Sequence, residues 1–241
     1  LRPLSKGSTP TMTKITKVCV LGERVSGTCF AQSLVTSNTN LKLVSPYGHK
    51  HFFQDVDKIR KDKTSDTLFV FISRDIMEWL HSFKKTAFHA DKPIRNCKDM
   101  STFLRMEWKC VFDKTSGTPE TSSQYGQEMV CERNPSDGKR FENVVQMRNS
   151  KMRHFLGIEE DVSNFVHVRY EDVRDDPEKF IEDLCEKFSI LKMKNFTNID
   201  TVRGKGKVPY KRTMYPEMAA EDVDFVVMNV DLDLESQLGY F

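Results

Sequence analysis

Apolar positions along this chain follow two periods. Residues 17–21 (KVCVL) form a short β-branched run that stops at Gly22, and 28–36 then carries its apolar residues at helical spacing. Strand, tight loop and helix are expected in that order. A second strand is predicted at 41–45, ended by Pro46 and Gly48. Residues 68–73 (LFVFIS) are almost continuously apolar, as a strand buried on both faces of a parallel sheet requires, and Arg74 follows directly. In 75–85, Ile76, Trp79, Leu80 and Phe83 recur at helical spacing, with Asp75 placed as a first-turn carboxylate that favours the helix dipole.

A further amphipathic helix is predicted at 142–155, a strand at 164–169 (NFVHVR), and a helix at 177–188 that opens on Pro177 and turns Phe180, Ile181, Leu184 and Phe188 inward. Residues 113–140 are rich in Ser, Thr, Gly and Pro and have no period, so a long loop or partly ordered insertion, of the kind that often covers active sites, is expected there. The alternation of strand and helix predicts one α/β domain over 14–241: an open parallel sheet flanked by helices, with right-handed crossovers. Residues 1–13 read as a flexible tail ahead of it. No internal repeat is present.

Composition narrows the partners. At 241 residues, 38% apolar and 30% charged, one core suffices. Lys and Arg number 37 against 35 for Asp and Glu, and a net charge of +2 gives no case for nucleic acid or a basic membrane-surface role. Any anion site must be local. No run of 18 apolar residues and no secretory signal is visible, so a soluble protein without a membrane segment is expected, with a removed N-terminal anchor left open. The six cysteines lack CxxC spacing, which points to a reducing cytosol, and only His49 and His51 approach metal-ligand spacing. No metal is expected.

Gly22-Glu23-Arg24-Val25-Ser26-Gly27-Thr28 lies between the first strand and its helix, where backbone amides and a helix N-terminus together attract an anion. Against the pattern GxxxxGK[ST], the glycines fall correctly at 22 and 27. Thr28 stands at the Lys place and Cys29 at the Mg²⁺-binding hydroxyl place, which disfavours an Mg²⁺-dependent NTPase or kinase. A donor whose transferred group carries less charge than a γ-phosphoryl suits this loop better. Arg74, at the end of the buried strand, and Ser82, eight residues on, could share one phosphate.

Together these segments resemble the two nucleotide-binding elements of the sulfotransferase family, whose donor is 3′-phosphoadenosine 5′-phosphosulfate (PAPS): a P-loop-like 5′-phosphosulfate loop, and a 3′-phosphate site in Ser73-Arg74-Asp75 with Trp79 and Ser82. Tyr170-Glu171-Asp172 resembles the segment beside the adenine, and Arg203-Gly204-Lys205-Gly206-Lys207 a degenerate form of the C-terminal phosphate loop. One departure matters. The family carries Lys immediately before the Ser-Gly-Thr part of the loop, and here that place is Val25, with Arg24 one residue earlier and Lys50 as a competing cation.

Gly48-His49-Lys50-His51-Phe52-Phe53 follows the second strand, at a strand carboxyl end where open α/β sheets bind ligands. It resembles the KExHFF segment of carbohydrate-type sulfotransferases, with His49 at the place of the basic Glu; cytosolic members use a His for the same task. A neutral imidazole can take the proton of an attacking hydroxyl at physiological pH. His51 is the rival.

The resemblance implies PAPS held at its 5′ end by Arg24, Ser26, Gly27, Thr28, Cys29 and Phe30, with Phe30 either stacked on the purine or packed in the core. At the 3′ phosphate it implies Arg74, Ser82, Arg203 and Lys205, with Tyr170 near the adenine. His49, Arg24 and Lys50 would carry the catalysis: in-line transfer to a hydroxyl, less readily an amine, of a small-molecule or carbohydrate acceptor, with no metal. Two alternatives stand beside it: an inactive nucleotide-binding protein of the same fold, and an atypical P-loop nucleotide kinase.

Overall fold

The structure is a computed structural model that describes residues 14–201 and 208–240. The tail expected at 1–13 lies outside the described residues. Four strands, β1 (Lys17–Leu21), β2 (Lys42–Leu43), β3 (Thr67–Ser73) and β4 (Phe165–Arg169), form an all-parallel sheet in the order β2-β1-β3-β4. Helix α1 (Thr28–Asn38) joins β1 to β2, and α2 (Val56–Lys61) lies between β2 and β3. Helices α3 (Ile76–Lys85), α4 (Lys92–Arg95), α5 (Met100–Arg105) and α6 (Val144–Gly157) lie between β3 and β4. After β4 come α7 (Tyr170–Asp175), α8 (Pro177–Phe188), α9 (Ala220–Asn229) and α10 (Leu232–Gln237).

The continuous apolar runs of β1 and β3 are explained by what covers them. Successive strand residues point to opposite faces. Val18, Val20, Leu68, Val70 and Ile72 meet α1, α7 and α8 through Leu34, Val35, Val173, Ile181 and Leu184. Cys19, Leu21, Phe69 and Phe71 meet α6 and α10 through Met152, Phe155 and Leu234. Beyond Lys17 at the start of β1, the central strands are buried on both faces. A third apolar cluster, built around Trp79, Phe83, Phe103 and Trp108, joins α3, α5, α6 and α9.

Two local expectations change. The strand expected at 41–45 is reduced to Lys42–Leu43, because it sits at the sheet edge with both residues exposed and only β1 to pair with. Asp75 is the N-cap of α3 rather than part of its first turn: its carboxylate accepts from the Glu78 amide. The segment 113–140 is ordered in part. It contains 3₁₀ turns at Lys114–Ser116 and Val130–Glu132, bridges Val111 to Glu128, and buries Met129 and Glu132 in the interior.

The chain leaves β1 for β2 on one side and takes up β3 on the other. The crevice at the carboxyl ends of β1 and β3 is therefore the switch point of the sheet, where open α/β folds place ligands. Among the described residues, no helix is long and apolar enough to cross a membrane.

Candidate functional site

Gly22 and Gly27 bracket the loop at this crevice, with φ of 155° and 87°. A Cβ on Gly22 would stand 2.4 Å from the Ile72 carbonyl oxygen, and one on Gly27 2.3 Å from the Tyr170 ring. Both places need glycine for space as well as for backbone conformation. Between them Val25 adopts φ 58°, a left-handed conformation that costs a β-branched residue energy and that collects at functional sites. Gly27 is the N-cap of α1 and supplies no side-chain cap. The first-turn amides of a helix have no intrahelical partner, and the first turn of α1 holds no acidic residue, so this end favours an anion.

Ser26 and Thr28 are buried within the loop, Gly27 and Cys29 are partly open, and Phe30 packs half-buried against the cluster that joins β1 to α8. Arg24 lies away from the open face of the loop. Its side chain is 1% exposed and points beneath the loop. There the guanidinium pairs with Glu23 at 2.5 Å and Glu132 at 3.4 Å, donates to the Phe88 carbonyl, and lies over the Phe83 and Trp108 rings. Trp79 donates its indole N–H to the Arg24 carbonyl. A fully desolvated guanidinium between two carboxylates cannot swing to a leaving group above the loop without leaving both charges unpaired.

Lys151 completes this floor, with its ammonium 2.6 Å from Glu132, 3.6 Å from Glu23, and donating to the His51 carbonyl. Burial alone would raise the Glu23 carboxyl, but Arg24 and Lys151 outweigh it and hold it down at about 2. Two cations and two carboxylates thus lie under the loop.

Lys50 stands on the open side. Its Nζ donates to Cys29 Sγ and to Gln32 Oε1, both at 3.0 Å, which puts an ammonium beside the first turn of α1. The backbone of the same segment clasps the loop. The Gly22 amide donates to the Lys50 carbonyl at 3.1 Å, and His51 Nδ1 lies 2.6 Å from the Gly22 carbonyl. A carbonyl only accepts, so Nδ1 carries the proton and a neutral His51 keeps its lone pair on Nε2.

His49 belongs to an exposed residue whose ring touches three others: His51 at 5.1 Å, Phe52 at 4.7 Å and His89 at 5.7 Å between centroids. Desolvation by these neighbours, then the Lys50 charge, lowers its pKa below the ordinary histidine value. Burial pushes His51 much further, down to about 3, and His89 down to about 4. Of the three rings, His49 is the most accessible. His89 was not expected here; it is buried at φ 65° with its Nδ1 unsatisfied, and only an isolated Ala-Phe-His-Ala run marks it in the sequence.

The opposite wall begins where β3 ends. Arg74 is buried, donates to the Val25 carbonyl at 3.1 Å, and stacks over the Tyr170 ring at 4.8 Å. Its backbone is fixed from behind, because Arg148 donates to the Arg74 carbonyl while paired with buried Glu235. Glu171 accepts from the Asp75 amide and from Tyr240. The crevice therefore brings together Gly27, Val25, Arg74 and Tyr170.

Ser82 lies half-buried on α3 one turn beyond Glu78, and its hydroxyl is not in hydrogen-bond contact with Arg74. Arg203 and Lys205 lie outside the described residues. The chain that follows them returns over this wall: Tyr210 hydrogen-bonds Tyr170 through their hydroxyls at 2.8 Å, and Tyr215 stacks on His81 while reaching Arg74. The aromatic spacing of Tyr210 and Tyr215 was the available signal for this strap.

Among the described residues, no group of three or more His, Cys, Asp or Glu side chains could hold a metal ion, and no disulfide joins the described cysteines. No protein-family model matches the chain, and no curated protein matches it.

Proposed function

We propose that the crevice binds a 3′-phosphorylated adenine nucleotide and that the protein is a sulfotransferase, moving a sulfuryl group from PAPS to a hydroxyl. The observation that carries this reading is the meeting of an uncapped helix N-terminus, a glycine-bracketed loop and Arg74 at one switch point, with an ammonium and neutral imidazoles on the facing segment. The 5′-phosphosulfate would rest on 26–30, held by the amides and dipole of α1. The 3′ phosphate would reach Arg74, and Tyr170 would lie near the adenine.

Lys50 replaces Arg24 as the cation that assists the leaving oxygen, since only Lys50 stands on the open side of the loop. Charge developing on that oxygen and on the sulfuryl group would meet the ammonium and the fixed amides. His49 would accept the acceptor's proton. A base should have a pKa near the working pH, and His51, held near 3, is too weak a base for that task. His51 instead fixes the loop through Gly22.

The rival reading, a binding protein without chemistry, draws on Val25 at the place of the usual cation. Thermal unfolding separates these classes. Adenosine 3′,5′-bisphosphate should raise Tm and ATP with Mg²⁺ should not; the reverse order would favour a kinase. Mass spectrometry of acceptor mixtures with PAPS should then show a sulfated product, and stabilisation by the nucleotide without any product would favour the binding protein.

A further inference from the structure

Beside Arg74, one carboxylate faces three guanidinium groups. Glu78 Oε2 is 3.1 Å from Arg74 and 3.8 Å from Arg174, and Oε1 is 3.6 Å from Arg212. The three arginines come from separate places: the end of β3, helix α7, and the strap after residue 208. Only the Arg74 contact is a hydrogen bond. The other two are close enough for strong attraction and too long to be satisfied, which is the geometry of a seat larger than its occupant.

Arg74 adds a second sign. Its Nε is enclosed without a hydrogen-bond partner in a side chain that is 9% exposed. A buried guanidinium donor left unmade is costly. The Tyr215 hydroxyl accepts from the same guanidinium at 3.4 Å and keeps its own O–H to donate to an anion beside it. Charge is unbalanced as well. Asp175 takes the fork of Arg174, and with Glu78 it offsets two of the three positive charges. A phosphate monoester dianion in place of the Glu78 carboxylate would balance the set.

We propose that Glu78 is a resident counter-anion in a phosphate site made by Arg74, Arg174, Arg212 and Tyr215, and that it swings out to solvent when a phosphate monoester arrives. Glu78 is able to do this because it lies on the outer row of α3, with its side chain 27% exposed, and among the described residues its carboxylate is held inward by the arginines. Arg212 travels with the strap, so occupation by phosphate also ties the strap down. Naming the ligand as the 3′ phosphate of an adenine nucleotide rests on the function proposed above; the seat itself does not.

Calorimetry on the full chain and on Glu78→Gln tests this with adenosine 3′,5′-bisphosphate, adenosine 5′-monophosphate and inorganic phosphate. Glu78→Gln should bind the bisphosphate about tenfold tighter, the size of one charge interaction at a partly open site, with the 5′-monophosphate unchanged. Arg212→Ala, made at an exposed side chain that leaves the core intact, should cancel the gain in the double variant. Equal or weaker binding of both bisphosphate and phosphate by Glu78→Gln would overturn the proposal and make Glu78 an organiser of Arg74. If neither protein binds the bisphosphate while Glu78→Gln gains affinity for inorganic phosphate, the seat stands and the nucleotide reading falls.

Discussion

Removing Arg24 leaves Glu23 and Glu132 facing Lys151 alone in an interior without water. Arg24→Ala should therefore lose about 3–5 kcal/mol of stability in chemical denaturation, the cost of stranding a buried charge, while the folded fraction keeps bisphosphate affinity within a few-fold. Retained stability with lost binding would place the guanidinium above the loop after all. The histidines divide differently. His49→Ala should lower turnover by about 10²–10⁴ with donor affinity nearly unchanged, and because the His49 pKa is lowered, the acid limb it produces should fall below pH 6.5. His51→Ala should weaken nucleotide binding and stability together, since it breaks the bond to Gly22. Turnover that survives loss of His49 and collapses with His51 in a folded protein would reverse the roles.

At the scale of elements, α1 and its loop are the most exacting part. Gly27→Ala meets both a left-handed backbone and the Tyr170 ring, so the helix start must shift, and stabilisation by adenosine 3′,5′-bisphosphate should disappear from thermal unfolding. A full shift in that variant would remove the loop from the site. This loop, β1, β3, β4, α3, α6 and α8 were legible in the sequence because period and punctuation are local. The floor beneath the loop was not. Glu132 meets Arg24, and Lys151 meets Glu23, across about a hundred residues or more, and charge pairing at that range leaves no periodic mark. The same holds for Arg174 and Arg212 against Glu78. Spacing marked Val25, Arg24 and Lys50 as the ambiguous places, and the burial of Arg24 beneath the loop leaves no mark in the sequence. Helices α9 and α10 escaped because their short apolar stripes follow a polar stretch.

For the whole molecule, acidity is the condition that tests the interior. His51 is held down at about 3 and His89, His154 and His167 at about 4, burial being the largest cause in each. The unfolded chain takes up these protons near pH 6.5, and the folded one only well below it. Stability is therefore complete above about pH 6.5 and lost as pH falls from there toward 4, each such group contributing up to about 1.4 kcal/mol per pH unit. Thermal unfolding from pH 7.5 to 4.5 should show a steady drop in Tm, smaller in His167→Gln, which removes one of these protons while offering Ser73 a replacement partner. A Tm independent of pH over that window would mean that these rings are hydrated.

The clasp of Gly22 by Lys50 and His51 has a mechanical meaning. Two bonds to one residue, the Gly22 amide given to the Lys50 carbonyl and the Gly22 carbonyl receiving the His51 imidazole, couple the glycine loop to the histidine segment as a single lever. Under the proposed function, a nucleotide that moved this loop would move the histidine segment with it, through that one residue.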